Sequence, residues 1–171
     1  MVLLSSAPVG AQGVTVSALK AAFLYNFANF AEWPAGALAP GQPLLLCVAG
    51  DNAVASALQQ TIHGREVDQH VLAVEVVTAD GPFQACHLLY VSGLTVKQAE
   101  ELLASLKTRP IFTVSDGERF AERGGVAQLV LEKQRMRFAV NVRAAERANL
   151  RISSKLLSLA TIIKDRDDVQ R

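Results

Sequence analysis

Few residues in this chain are equipped for chemistry, and they are scattered. Ser115-Asp116 ends an apolar run, Pro110 to Val114, and strand ends are where open α/β sheets collect ligands. Asp116 serves equally well as the N-cap of a short turn over Glu118 to Glu122. Glu32 stands beside Trp33 with no second carboxylate at a fixed spacing, so a solvated helix end accounts for it better than a general acid does. His63, His70 and His87 share no metal-ligand spacing with one another or with the cysteines, and zinc needs three or four converging ligands. No Gly-x-Ser-x-Gly elbow occurs, and Gly50-Asp51 and Gly124-Gly125 lack the further glycines of a phosphate-cradling loop. The reading is of a protein that is not an enzyme and needs no cofactor and no metal.

The arginines form the one cationic series: Arg135, Arg137 and Arg143, followed by Arg147 and Arg151. Strand alternation from Arg135 to Val142 puts Arg137, Asn141 and Arg143 on one face, with Met136, Phe138, Val140 and Val142 on the other. Guanidinium forks match carboxylate and phosphate oxygens. Arg137, Asn141, Arg143 and Arg151 are therefore the expected contact for an acidic partner side chain or a small anion. Two alternatives stand beside this: a solvated face paired with Glu132 and Glu146, and an outer strand guarded by charge.

The elements that must position these residues alternate between helix and strand. Leu19, Ala22, Phe23, Phe27, Phe30 and Trp33 recur at three- and four-residue steps, predicting a helix from Ser17 to Trp33 that Pro34 and Gly36 stop. Leu44 to Ala49 reads as a strand buried on both faces, and Asp51 or Asn52 caps a helix to about Gln60. Strands follow at His70 to Thr78, His87 to Val91 and Pro110 to Val114, with a helix from Thr95 to Lys107. Val126 to Leu131 and Arg135 to Val142 are joined too closely for a crossover and form an antiparallel hairpin. Helices are expected over Ala144 to Ala148 and Ser154 to Ile163. The fold class is α/β: one three-layer domain, a mixed but largely parallel sheet, helices on both faces and a C-terminal hairpin.

The 171 residues, half of them apolar, suit a single domain. The boundaries are a leader over 1–16, the domain over 17–163 and a charged tail over 164–171. Seventeen Lys and Arg against 16 Asp and Glu give a formal charge of +1, which excludes the broad basic field that nucleic-acid binding needs. Mean hydropathy is high at +0.23, yet no apolar run nears the roughly 18 residues that span a bilayer. A homodimer or partner surface is expected on such an aliphatic chain, with Leu24, Tyr25 and Leu156 as its candidates.

The first residues read like the end of a secretory signal, with Val9 and Ala11 at the positions a signal peptidase accepts, but without a basic start or a full apolar stretch of about 7 residues. Cys47 and Cys86 lie in apolar, strand-like runs. They are either buried free thiols or, in an oxidising compartment, a disulfide closing a loop of 39 residues. Export favours the disulfide.

Five segments together carry a resemblance. Leu19-Lys-Ala-Ala-Phe-Leu-Tyr-Asn-Phe-Ala-Asn-Phe-Ala-Glu-Trp-Pro34 resembles the opening signature of the YfiR-like family. The strand end Cys47-Val-Ala-Gly50, then Cys86-His-Leu-Leu-Tyr-Val-Ser92, follow in the family's order. So do Thr113-Val-Ser-Asp116 with Phe120 and Gly124-Gly125, and Arg137-Phe-Ala-Val-Asn-Val142 with Ile152-Ser-Ser-Lys-Leu-Leu-Ser-Leu-Ala160. The resemblance implies a periplasmic α/β regulator that binds and represses the sensor part of an inner-membrane diguanylate cyclase of YfiN type, lowering cyclic-di-GMP and biofilm formation. It also implies relief by an outer-membrane lipoprotein of YfiB type. The alternative is a small-ligand sensor module acting on another membrane partner such as a histidine kinase. Family members can carry two disulfides, whereas these cysteines suffice for one.

Overall fold

A computed structural model describes residues 14–164; the signal-like residues up to 13 and the tail from 165 lie outside it. The elements in order are α1 (Val16–Phe30), β1 (Ala31–Glu32), β2 (Leu44–Ala49), α2 (Asn52–Ile62), β3 (Glu66–Val67), β4 (His70–Val76), β5 (Leu88–Val91) and α3 (Val96–Leu106). There follow β6 (Phe112–Ser115), β7 (Ala127–Glu132), β8 (Arg135–Asn141), α4 (Val142–Arg147), β9 (Arg151–Ile152), α5 (Ser154–Leu157) and β10 (Thr161–Ile163). An eight-stranded sheet runs β10-β8-β7-β6-β5-β2-β4-β3, and β1 pairs with β9 in a separate two-stranded ribbon. The neighbours from β4 through β2, β5 and β6 to β7 are parallel, and β7–β8 and β3–β4 are antiparallel hairpins. This is the mixed, mostly parallel α/β sheet that the alternation of elements predicts.

Strand alternation divides the core in two. Leu44, Leu46 and Val48 of β2, Leu88 and Tyr90 of β5 and Phe112 and Val114 of β6 face α1 and α2. Phe27 of α1 stacks on Phe112 with ring centroids 5.5 Å apart, and burial of rings this size dominates the energetics of that layer. Cys47, Ala49, Leu89 and Val91, the intervening residues, face α3 together with Phe83, Ile111 and Phe120.

Capping follows the sequence. Thr15 accepts from the Ala18 N–H, Asp51 from Val54, and Thr95 forms a reciprocal capping box with Gln98. Both hairpins turn on two non-glycine residues with positive φ, Asp68-Gln69 and Lys133-Gln134, the primed-turn geometry that matches strand twist.

Three expectations fail in detail. The first helix ends at Phe30 rather than Trp33, because Ala31 and Glu32 leave it to pair with β9. The first helix buries Ala21, Leu24, Phe27 and Ala28, a face rotated from the expected stripe, because α2 packs alongside it as well as the sheet beneath; Ala22 is exposed. The span from Ser154 to Ile163 is not one helix. It is the single turn α5 followed by β10, which adds parallel to β8 through Thr161↔Ala139 and Ile163↔Asn141, and Leu159 between them is 75% exposed. Three β-branched residues in a row, Thr161-Ile-Ile163, favour a strand over a helix end.

Candidate functional site

The winding of the sheet reverses between β2 and β5: the chain leaves β2 through α2 to β4 on one side, then crosses back to β5 on the other. The carboxyl ends of strands at such a reversal are the usual ligand crevice of α/β sheets. Register aligns Ala49, Val91 and Ser115 across β2, β5 and β6, so the next residues, Gly50, Ser92 and Asp116, come side by side at that edge. Gly50 has φ +82°, and a Cβ there would lie 2.3 Å from the Ser92 carbonyl oxygen, so glycine alone admits this approach.

Lys20 of α1 reaches into this edge. Its Nζ donates to Asp116 Oδ2 at 2.6 Å and to the Tyr90 hydroxyl at 3.1 Å, and it stands 3.9 Å from Asp51 Oδ2. Ser92 Oγ donates to Asp116 Oδ1 at 3.2 Å. Burial opposes the lysine charge and is the largest single influence on it, yet the hydrogen bonds to Asp116 and Tyr90 together outweigh burial and hold its pKa above the ordinary value. Burial likewise pushes the Tyr90 phenol up. The result is one ammonium, two carboxylates and two hydroxyls in a partly buried network. It tethers α1 to the ends of three strands.

Asp116 thus pairs with Lys20 and Ser92 and does not serve as an N-cap. Ser115 Oγ satisfies the Gly117 N–H, which frees the Asp116 carboxylate for Lys20. Sequence reasoning passed over Lys20, Tyr90 and Ser92. The available signal was Lys20 as the sole charged residue of α1. Each of four segments that carry the resemblance also supplies a member of this edge: Lys20, Gly50, Tyr90 with Ser92, and Asp116.

At the opposite, amino ends of the strands, His87 is buried. Its Nδ1 accepts from the Leu45 N–H at 3.0 Å, which places the proton on Nε2, where it donates to the Ala37 carbonyl at 2.9 Å. Trp33 Nε1 donates to the His87 carbonyl at 2.9 Å. Burial is the main cause holding the His87 pKa below its ordinary value.

Cys47 and Cys86 form a disulfide with Cα atoms 5.8 Å apart, on the α3 side of the sheet. The arginine set does not assemble as expected. β8 ends at Asn141 and the chain turns into α4, so strand alternation stops before Arg143. Asn141 is fully buried: its amide donates to the Ala121 carbonyl and its oxygen caps α4 at the Ala144 N–H. It offers nothing to a surface contact. Arg137 is exposed and sits 3.6 Å from Glu132, Arg143 is exposed on the first turn of α4, and Arg151 is exposed on β9. β8 is not the outer strand, since β10 covers its last three residues. Of the interface candidates, Leu24 and Leu156 belong to the core because α1 and α5 turn those faces inward. Tyr25 is half-buried beneath the Arg65 guanidinium, 4.8 Å from its ring centroid.

Among the described residues no helix is long and apolar enough to cross a membrane. Comparison with curated proteins returns no match. The sequence profile of the YfiR/HmsC-like family matches residues 17–161, most of the chain and every element from α1 to the start of β10. That coverage includes both the Lys20 cluster and the disulfide, and the chain belongs to the YfiR/HmsC-like family, whose members are periplasmic regulators of diguanylate cyclase rather than enzymes.

Proposed function

We propose that this protein binds the periplasmic sensor part of an inner-membrane diguanylate cyclase of YfiN type and represses it, lowering cyclic-di-GMP, with a lipoprotein of YfiB type relieving the block. The observation that carries this reading is the family match over residues 17–161. The geometry is compatible with the same role: the charges at the strand ends are paired with one another and hold α1 to the sheet. Arg137, Arg143 and Arg151 are the cationic positions offered to acidic groups of that partner. The test is co-expression with the cyclase: cyclic-di-GMP falls when this protein is exported to the periplasm, and the purified cyclase sensor part binds it directly. Unchanged cyclic-di-GMP together with no binding overturns the reading.

A second reading, a small-ligand sensor module acting on another membrane partner such as a histidine kinase, draws on one observation. The Lys20 cluster lies at the winding reversal of the sheet, where ligands of α/β proteins collect. Co-purification of a kinase in place of a cyclase from membranes would favour it.

A further inference from the structure

The sheet ends unevenly at β4. β3 covers only His70 and Val71, through Val67↔His70 and Glu66↔Val71. The Val77 N–H donates inward to the Val48 carbonyl, and since backbone groups alternate along a strand, Leu72, Val74 and Val76 turn theirs away from β2. Among the described residues no strand pairs with that side of them. A cleft of about 380 Å³ runs along this edge, walled by Val71 to Val74 on one side and by Gln59, Ile62 and His63 at the end of α2 on the other. Natural edges are usually guarded by lysine, proline or a bulge. β4, His-Val-Leu-Ala-Val-Glu-Val, has no lysine or proline, and Val76 at its end is 60% exposed.

We propose that this edge is a strand-addition site, and that its occupant is an extended segment of the partner protein in which apolar residues alternate with basic ones. A helix end beside an unpaired strand is the groove that strand addition uses, with main-chain bonds supplying affinity and flanking side chains supplying specificity. Of the two charged residues that line the cleft, Arg65 is exposed but holds its guanidinium over the Tyr25 ring, and Glu66 is exposed, with Asp68 and Glu75 exposed beyond it, so the acids outnumber the base. A second copy of this chain would set those acids against themselves, and like charges across a strand pair are destabilising. A basic strand neutralises them. The proposal deepens the reading of a cyclase-binding protein and rests on it for the partner's identity.

Val74→Pro removes one outward N–H while leaving the bonds to β2, and Glu66→Lys/Glu75→Lys reverses the flanking charge on exposed positions. The probes are the purified cyclase sensor part and a synthetic peptide of alternating valine and lysine. We expect the amides of Leu72, Val74 and Val76 to exchange hydrogen at least tenfold more slowly with either probe, and both variants to bind at least tenfold more weakly. Val74→Thr, which keeps the N–H, should bind like the parent. Unaltered exchange at those three amides with both probes overturns the proposal, as does cyclase binding by the charge-reversed variant at parental strength. A parent chain that sediments as a dimer and becomes monomeric as Val74→Pro also overturns it, in favour of a second copy. Protection by the peptide with no association to the cyclase leaves the edge assigned and removes the cyclase reading instead.

Discussion

Lys20 Nζ and Asp116 Oδ2 lie 2.6 Å apart, although 96 residues separate them, and this pair joins the first helix to the end of the fourth parallel strand of the sheet, β6. Both side chains are largely sheltered, so the pair is worth more than a surface bridge. Lys20→Met should cost about 2 kcal/mol, the range for hydrogen bonds to charged groups, and Asp116→Asn somewhat less because Ser92 still has a partner. A double-mutant cycle in urea should return a coupling energy well above the experimental error; additive losses would show that the pair is incidental. The folded pKa of Lys20 is raised, so its stabilisation is fully present below the unfolded value of about 10.4 and disappears as pH climbs through the folded value. Tyr90 acts in the same direction. The urea midpoint should therefore hold steady across neutral pH and fall above about pH 10.

His87 governs the acid side. Its folded pKa lies below the unfolded value of about 6.5, so the unfolded chain takes up the proton first. Stability is complete above that value and declines as pH falls through the folded pKa, with a slope of at most about 1.4 kcal/mol per pH unit for one proton. Replacing His87 with Gln should flatten this limb while lowering stability at pH 7, because an N–H to Ala37 and an acceptor for Leu45 are disturbed. An acid limb of the same slope in the variant would assign the effect to other groups.

Removing the Cys47–Cys86 bond closes off a different contribution. The bridged separation is 39 residues, and the chain-entropy relation gives about 4 kcal/mol for a loop of that size. Cys47→Ala/Cys86→Ala should lower the unfolding free energy by about that amount and steepen the denaturant slope, because the unfolded chain without the cross-link exposes more surface. Free thiols in periplasmic material, counted by mass spectrometry after alkylation, would show instead that the bridge does not form in place.

The arginines yield a functional prediction. Arg137→Gln/Arg143→Gln should leave the thermal midpoint within about 2 °C, since both positions are exposed. It should weaken repression of the cyclase if acidic groups of the partner dock there. Parental repression by the folded variant would leave these charges a role in solubility alone.

The sheet was legible because its evidence is local: runs such as Leu44–Ala49 and Leu88–Val91 carry apolar residues on both faces, and Thr95 and Asp51 mark helix starts by their own chemistry. The hairpin of β7 and β8 was legible from the shortness of its connection. β10 was not, because three residues carry too little pattern to compete with the helical spacing of Leu156, Leu157 and Ala160 before them. The Arg137 face was misjudged at one residue: Asn141 looks like the next outward position until the strand gives way to a helix that needs its oxygen as a cap. The Lys20 cluster was hidden for a physical reason of another kind. Its members are far apart in sequence and meet only through strand register, which no single segment displays.

The disulfide has a further consequence for how β2 keeps its two neighbours. The loop it closes contains α2, β3 and β4, and β2 at its root must take two neighbours, β5 and β4. β5 is a fully buried strand of four residues, and β4 is a half-exposed one of seven. Cys86, bonded to Cys47 of β2, leads directly into β5, so that neighbour is tied to β2 covalently, whereas β4 has no such bond. The two flanks of β2 are therefore held unequally: the inner one is locked by a bond between two sulfurs on the α3 face, and the outer one rests on main-chain bonds and packing alone.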